Sequence, residues 1–422
     1  MLIPFSEIVT TQKGKNPLVK SKEKMGGYIP YIDIKAFEQG IFETYTDGNK
    51  CLLCDDGDIL LVWDGARAGL VGTAYKGAVS STLVKIDVPL VERKYVLYFL
   101  QFYSRELNAQ PKGTGIPHIN PNIFNSLHFP LPPLPEQHRI VAKIDALFSE
   151  LDNGVAFLKT IKTQLAIYRQ AVLKWAFEGN LVDGYKENWV DTTLGKVCKI
   201  SSGGTPSRRN PQYYAGNIPW IKTGEINWNT IEDTEEHITL EAVENSSAKF
   251  FPVGTILVAM YGQGLTRGRA AILGVRATTN QAVCALIPSN SVNNLFLYYF
   301  FRYNYWNLRE KAVGGNQLNL SANLISNINI KLPSKPEQFA IVSAIESRLS
   351  VCDKLEQTID QTLALSASLR QSILKKAFEG RLVPQDPNDE SAEKLLERIK
   401  AEKAAVLAKQ KQTRKRGQND KT

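Results

Sequence analysis

The residues best suited to do chemistry in this chain are arginines and lysines in glycine-rich or turn-like stretches. Trp63-Asp64-Gly65-Ala66-Arg67-Ala68-Gly69 carries one, and Gly203-Gly204-Thr205-Pro206-Ser207-Arg208-Arg209-Asn210 carries two. Tyr261-Gly262-Gln263-Gly264-Leu265-Thr266-Arg267-Gly268-Arg269 carries two more. Glycine lets a backbone come close to a ligand, and a guanidinium offers a planar fork that fits a phosphate or a guanine edge. Lys13, Lys15, Lys20, Lys22 and Lys24 crowd the start of the chain. Lysines suit phosphate positioning better than base reading. The chemistry implied is recognition of a polyanion. The candidate contacts to it are Lys13, Lys15, Arg67, Lys112, Arg208, Arg209, Lys222, Arg267 and Arg269. Singly, each is an ordinary surface residue. Arg67 and Arg267 gain weight because each follows an apparently equivalent buried strand.

Catalytic constellations do not stand out. No Gly-x-x-x-x-Gly-Lys-Ser/Thr phosphate loop and no His-Glu-x-x-His motif occurs, and four histidines offer little to a metal. Cys51-Leu52-Leu53-Cys54 is a lone C-x-x-C in a strand-like run, short of the four ligands of a structural zinc. Asn210-Pro211-Gln212-Tyr213 is near the Asn-Pro-Pro-Tyr of adenine methyltransferases but lacks the second proline, and it reads as a turn. Glu92-Arg93-Lys94 fits the end of a nuclease motif, lacks an aspartate partner, and reads as a helix start. The five cysteines are scattered, so no disulfide framework is expected.

The elements that must position these residues come in two copies. Leu131-Pro132-Pro133-Leu134-Pro135-Glu136-Gln137 returns as Leu332-Pro333-Ser334-Lys335-Pro336-Glu337-Gln338, and the offset of 201 holds without a gap from Gly113/Gly314 to Val182/Val383. Two copies of one unit imply a pseudo-dimer within one polypeptide, a geometry suited to gripping a duplex. After Pro135 the sequence turns heptad-periodic. Ile140, Leu147, Gly154, Ile161, Tyr168 and Trp175 form one seam, and Ile144, Leu151, Leu158, Leu165 and Val172 a second. Pro135 suits a first helical turn, Glu136 complements the helix dipole and Gly179 supplies the stop, which predicts about 43 helical residues. The second copy, Pro336 to about Phe378, has the same caps but polar breaks at Arg348, Thr362, Ser366 and Lys376. The simplest partner for each helix is the other, antiparallel.

Before each helix lies a globular stretch. The two stretches share a skeleton: Gly57–Val62 answers Gly254–Ala259, Tyr28–Ile32 answers Asn217–Ile221, and Leu97–Leu100 answers Leu297–Phe300. Between these anchors everything differs, which suggests two heads reading different things. The predicted organisation is a mixed α/β chain. Its parts are a first head over 1–130, a spacer helix region over 131–187, a second head over 188–331, a second helix region over 332–384 and a basic tail over 385–422. The chain has 422 residues, a formal net charge of +9 and a sequence pI near 9.1, a balance that favours nucleic acid as partner. Part of that charge sits in the tail, which reads as a solvated, disordered end, although Asp389–Lys411 has helical potential. Neither a membrane span nor a signal peptide is evident, so a cytoplasmic protein is expected.

These features resemble the specificity subunit of type I restriction-modification systems over nearly the whole chain. The resemblance is carried by the Leu-Pro-x-x-x-Pro-Glu-Gln lead-in to each helix and the Ala-Phe-Glu-Gly-x-Leu-Val run-out at Ala176–Val182 and Ala377–Val383. Gly-Gly-Thr-Pro at Gly203 and Ile-Pro-Trp-Ile at Ile218 add to it. The first head lacks the Gly-Gly-Thr-Pro. The resemblance implies a non-catalytic reader of double-stranded DNA whose two target recognition domains each bind one half of a bipartite, asymmetric sequence. The antiparallel helices would set the unread gap and dock two methyltransferase subunits, with motor-nuclease subunits joining the complex. No cofactor is expected in this chain; S-adenosylmethionine, ATP and Mg²⁺ would belong to the partners. The alternative from a different class is a coiled-coil adaptor holding two protein-binding heads.

Overall fold

The computed structural model describes residues 1–109, 117–182, 188–262, 265–310 and 319–419. The chain forms two compact units, one from residues 1–157 with 362–422 and the other from 158–361.

In the first unit an antiparallel four-stranded sheet runs in the order Thr10–Lys13, Leu83–Asp87, Ile59–Val62, Val71–Thr73. A second sheet joins Tyr45–Thr46, Ile29–Ile32, Gly77–Val79 and Leu53–Cys54. The run Ile59-Leu60-Leu61-Val62 has no polar position because both of its faces are covered. Ile59 and Leu61 face a large core, while Leu60 and Val62 face a smaller one with Ile32, Phe37 and Val79. The aromatic helix Arg93–Ala109 supplies the large core with Tyr95 and Phe99, and Phe99 meets Phe129 at 4.8 Å and Phe5 at 5.3 Å between ring centroids.

The second unit repeats this plan. Cys198–Ser202, Val283–Pro288, Ile256–Ala259, Ala270–Leu273 and Thr230–Ile231 make a five-stranded sheet, with His237–Ile238, Ile218–Ile221 and Thr278–Thr279 beside it in another. Ile256 and Val258 face one core, Leu257 and Ala259 the other. The equivalent aromatic helix is Asn294–Glu310. Glu92-Arg93-Lys94 proves to be a helix start, with the helix beginning at Arg93, and Asn210–Tyr213 is a turn closed by a short 3₁₀ helix at Pro211–Tyr214.

The long helices span Leu134–Phe177 and Lys335–Phe378, each 44 residues or about 66 Å at 1.5 Å per residue. Both stop as foreseen. Gly179 and Gly380 take φ of 74° and 70°, and the amides of Asn180 and Arg381 return to the carbonyls of Trp175 and Lys376 at 2.8 Å. Pairing is antiparallel within each unit. In the second, Lys162 reaches Asp360 and Arg169 reaches Glu356 and Asp353. In the first, Arg370 pairs with Asp152 and lies over the Phe148 ring. The terminal phenylalanines consequently divide between the units. Phe378 packs on Tyr95, Phe99 and Phe102 in the first, Phe177 on Phe296, Phe300 and Tyr303 in the second.

One of the two expected seams holds at Ile140, Leu147 and Ile161 but is displaced by a residue towards its end. Ile144 and Val172 are buried as expected, but Tyr168 and Trp175 are 41% and 50% exposed, while Ala176 is buried and Arg169 half-buried. The inner line runs through Val141, Phe148, Val155, Lys162, Arg169 and Ala176, matched in the second helix by Val342, Leu349, Glu356, Leu363, Arg370 and Ala377. Leu355 and Leu369, expected inside, are exposed. Both registers satisfy the 3-and-4 spacing of a helix. The ion pairs of Lys162 and Arg169 decide between them by letting long stems lie in the seam with their charges paired.

The helical potential of Asp389–Lys411 is realised in a helix that begins at Ala392. Helix Ala392–Asn419 buries Leu395 and Ile399 in the first unit's core, Lys400 pairs with Glu7, and the Lys403 ammonium donates to the Ser6 carbonyl at 2.7 Å. Just before it, Asp389 receives Arg139 at 2.6 Å.

Candidate nucleic-acid interface

The candidate contacts fall in loops that follow matching strands. In the first unit the hairpin loop after Ile59–Val62 is tied down by Gly65 N–H donating to the Pro117 carbonyl at 2.7 Å and Ile119 N–H to the Trp63 carbonyl at 3.0 Å. In the second, Leu320 N–H donates to the Met260 carbonyl at 3.0 Å in the same way. Each of these loops is thus laced to the segment that follows the aromatic helix. Lys13 leaves the end of its strand and pairs with Asp64 of the loop at 2.6 Å, and Arg67 meets Glu38 at 3.3 Å while remaining 64% exposed. Lys15 is exposed, and Lys112 lies outside the described residues.

Two of the second unit's candidates converge. The Arg208 guanidinium sits 4.0 Å from the Tyr214 ring centroid and 5.1 Å from that of Trp220, and it bonds Glu236 at 2.6 Å. Lys222 reaches Glu236 at 2.9 Å and Glu235 at 3.1 Å. Arg208 first and Lys222 second hold the Glu236 carboxyl below its usual range. The cluster sets two cations at fixed positions while leaving Arg208 more than half exposed. Arg209, next in the chain, is exposed. Arg267 and Arg269 are on a different loop and both half-buried. Arg269 donates to Asn227 at 2.7 Å, and the Arg267 carbonyl accepts from Arg309 at 2.9 Å. Gln263 and Gly264 of that loop lie outside the described residues.

Two cations escaped the sequence reading, Arg302, within about 6 Å of the Trp228, Tyr298 and Tyr299 rings, and Arg309, beside Tyr305 and Trp306. Lys20, one of the lysines crowding the start of the chain, sits 4.3 Å over Tyr31. The signal for Arg302 was present, since Tyr298 and Tyr299 precede it by four and three residues on one helix face. Lys20 and Tyr31 meet only through the fold.

The missing Gly-Gly-Thr-Pro of the first head has a structural answer. A Cβ on Gly203 would stand 2.1 Å from the Thr279 carbonyl oxygen, and one on Gly14 would stand 2.1 Å from that of Ser80. Gly14-Lys15-Asn16-Pro17 therefore takes the place of Gly203-Gly204-Thr205-Pro206, and only the first glycine and the proline are shared.

Among the described residues, no group of three or more His, Cys, Asp or Glu side chains is arranged to hold a metal, and no helix is long and apolar enough to cross a membrane. Burial pushes the Cys54 thiol up to about 11 and those of Cys198 and Cys284 up to about 12, so all three are un-ionised at neutral pH.

Twin heads on paired helices, with basic loops that differ between copies, define a class of two-headed recognition proteins. The type I restriction modification DNA specificity domain matches residues 3–165 and 186–365, and the chain belongs to that family. The family's domain recognises DNA and is not catalytic. Among curated relatives, the type I restriction enzyme MjaVIII specificity subunit of Methanocaldococcus jannaschii is 26% identical, over 82% of this chain and 85% of its own. The EcoBI specificity subunit of Escherichia coli is also 26% identical, over 92% and 89%. The StySPI specificity subunit of Salmonella potsdam is 28% identical, over 77% and 75%. Two solved structures share the fold. One, from a study of complex assembly and conformational transition of the type I R-M system, has a TM-score of 0.68 at 20% identity, covering 90% of this chain and 98% of that one. The other, the HsdS subunit from Thermoanaerobacter tengcongensis, has a TM-score of 0.62 at 21% identity, covering 90% and 97%.

Proposed function

We propose that this chain is the DNA-reading subunit of a type I restriction-modification complex, with each head, 1–130 and 188–331, acting as a target recognition domain for one half of a bipartite, asymmetric sequence. The observation that carries this reading is one scaffold built twice with different basic loops in the same place. The long helices, of fixed rise, set the gap between the half-sites. Their outer faces dock two methyltransferase subunits, through which motor-nuclease subunits join. Exposed apolar residues on both helices support this docking role, among them Phe157 and Leu365 in one unit and Ile167, Trp175 and Val351 in the other. S-adenosylmethionine, ATP and Mg²⁺ belong to those partners. Lys13, Lys15, Arg67, Lys112, Arg208, Arg209, Lys222, Arg267 and Arg269 contact the DNA, the lysines at phosphates and the arginines at phosphates or base edges.

The test is methylome sequencing of a host carrying the neighbouring methyltransferase gene, with and without this chain. A bipartite methylated motif should appear only when it is present. A continuous motif, or an unchanged methylome, would overturn the reading in favour of an adaptor with protein-binding heads. Replacing Arg269 by alanine should relax one position of one half-site by about 1–3 kcal/mol. A uniform loss with a shallower salt dependence would make it a phosphate contact instead.

A further inference from the structure

Equivalent strands in the two heads carry an aromatic residue with a cation over its ring. In the first head Lys20 stands 4.3 Å from the Tyr31 ring centroid. In the second, Trp220 takes the place of Tyr31, and Arg208 lies 5.1 Å from its ring and 4.0 Å from that of Tyr214. The strand pairing fixes the correspondence. The Tyr31 backbone N–H donates to the Thr44 carbonyl at 2.9 Å, and that of Trp220 to the Glu236 carbonyl at 3.0 Å. Thr44 and Glu236 therefore occupy one place. The first head puts a hydroxyl there and a lysine over the ring; the second puts a carboxylate there and an arginine.

The second platform is braced from several sides. The Trp220 indole N–H donates to the Gly204 carbonyl at 2.9 Å and the Tyr214 hydroxyl to the Pro206 carbonyl at 2.7 Å. The two rings that carry Arg208 thus also hold the backbone leading to it. The Glu236 carbonyl accepts a second bond, from the Thr234 hydroxyl at 2.6 Å. One oxygen of the Glu236 carboxylate takes Nη1 of Arg208 at 2.6 Å and the other Nζ of Lys222 at 2.9 Å. Nε and Nη2 of Arg208 have no partner among the described residues, and its side chain is more than half exposed. Acidic side chains crowd the place. Glu225 accepts from the Lys222 and Glu235 backbone N–H groups at 2.6 and 3.0 Å, and Glu235 pairs with Lys222 at 3.1 Å. Three acidic side chains around two cations leave little net attraction for a phosphate. What remains is direction. A phosphate is satisfied by a mobile point charge, whereas a base edge needs a planar fork held at one angle.

We infer that Arg208 reads a guanine in the half-site of the second head, its Nε and Nη2 donating to the O6 and N7 of that base, and that Glu236 is the positioning residue that aims the fork. Guanine is the base whose major-groove edge offers two adjacent acceptors to such a fork. The same place in the first head, with Lys20 and Thr44, lacks both the fork and its brace. The inference rests on the DNA-reading role and adds to it one base, the residue that reads it and the residue that positions the reader.

The test uses the full chain with its methyltransferase partner. Methylome sequencing gives the wild-type motif, and duplexes carrying it are made with 7-deazaguanine, which lacks the N7 acceptor, at each guanine in turn. One of these substitutions should weaken wild-type binding about tenfold and leave binding by Arg208→Lys unchanged. Arg208→Lys keeps the charge without the fork, and its methylome should admit other bases at that one position while the other half-site keeps its sequence. Glu236→Gln should weaken binding to the motif severalfold while unrelated DNA is bound as well as before or more tightly. Misfolding would weaken both, and loss of a negative charge alone would tighten both, so the split marks positioning. The inference is overturned if no guanine is sensitive to 7-deaza substitution in the wild type, or if the sensitivity survives in Arg208→Lys. It is also overturned if Glu236→Gln tightens binding to every duplex alike. The 7-deazaguanine series on the wild-type chain needs no variant to fold. A wild-type chain that gives no bipartite motif sinks the DNA-reading role and this inference together; a bipartite motif without the sensitive guanine sinks the inference alone.

Discussion

At the scale of single residues, the two copies show how one sequence motif acquires two electrostatic fates. Burial opposes the ionised form of Glu337, but hydrogen bonds from Ser334 and the Trp189 indole outweigh it and set its folded-state pKa below the unfolded value of 4.5. It therefore contributes stability above that pH and loses it as the pH falls through the folded value. Burial, opposed only in part by Arg139, sets the folded-state pKa of Glu136 above 4.5, so its ionisation costs stability as the pH rises, and the cost vanishes in acid. Glu337→Gln should therefore destabilise the protein at pH 7, by about 2 kcal/mol, and approach neutrality below pH 4.5. Glu136→Gln should do the opposite at pH 7. Urea denaturation of both variants across pH checks the signs, and equal signs would sink the account. Gly203→Ala places a Cβ 2.1 Å from the Thr279 carbonyl oxygen, so backbone must shift, and a loss of about 2–3 kcal/mol is expected by the same measurement. The requirement at Gly203 was visible as a motif. That at Gly14 was not, because only the tertiary approach of Ser80 reveals it.

At the scale of elements, helix ends, lengths and strand anchors were readable because their causes are local. Glycine at a left-handed C-terminal position, proline in a first turn and an unbroken apolar run for a doubly covered strand all act within a few residues. One of the two seam lines was misread by a residue towards its end because Tyr168 and Trp175 outscore Arg169 and Ala176 on hydrophobicity alone. What decides is the partner helix, whose Asp360, Glu356 and Asp353 give Lys162 and Arg169 a reason to lie in the seam. Adding one turn to both long helices lengthens each by about 5.4 Å. Methylome sequencing of that variant should find a longer gap between unchanged half-sites, whereas altered half-sites with an unaltered gap would remove the helices as the ruler. Helical potential after Asp389 was readable in the sequence, but the docking of its first turns through Leu395 and Ile399 into the core was not, because that depends on the first unit's surface. Deleting 386–422 removes these and the Asp389 partner of Arg139. A loss of about 3 kcal/mol is expected, confined in hydrogen exchange to the first unit.

At the scale of the whole molecule, the two units are each closed by segments distant in sequence: the first by residues 362–422, the second by the end of one long helix and the start of the other. Exchanging residues 188–331 for those of a relative should change one half-site and leave the other, read out by methylome sequencing; a change in both would mean that the heads do not read independently. The sequence by itself determined the duplication, the two long helices and their stops, the shared skeleton of the heads and the family to which the chain belongs, because repeats, caps and apolar runs are written within short windows. Only the tertiary structure decided which face of each helix lies inside, which cations are held by carboxylates, that the tail closes the first unit, and that Glu337 meets the Trp189 indole. Each of these depends on contacts between residues far apart in the chain, whose energies no local pattern encodes.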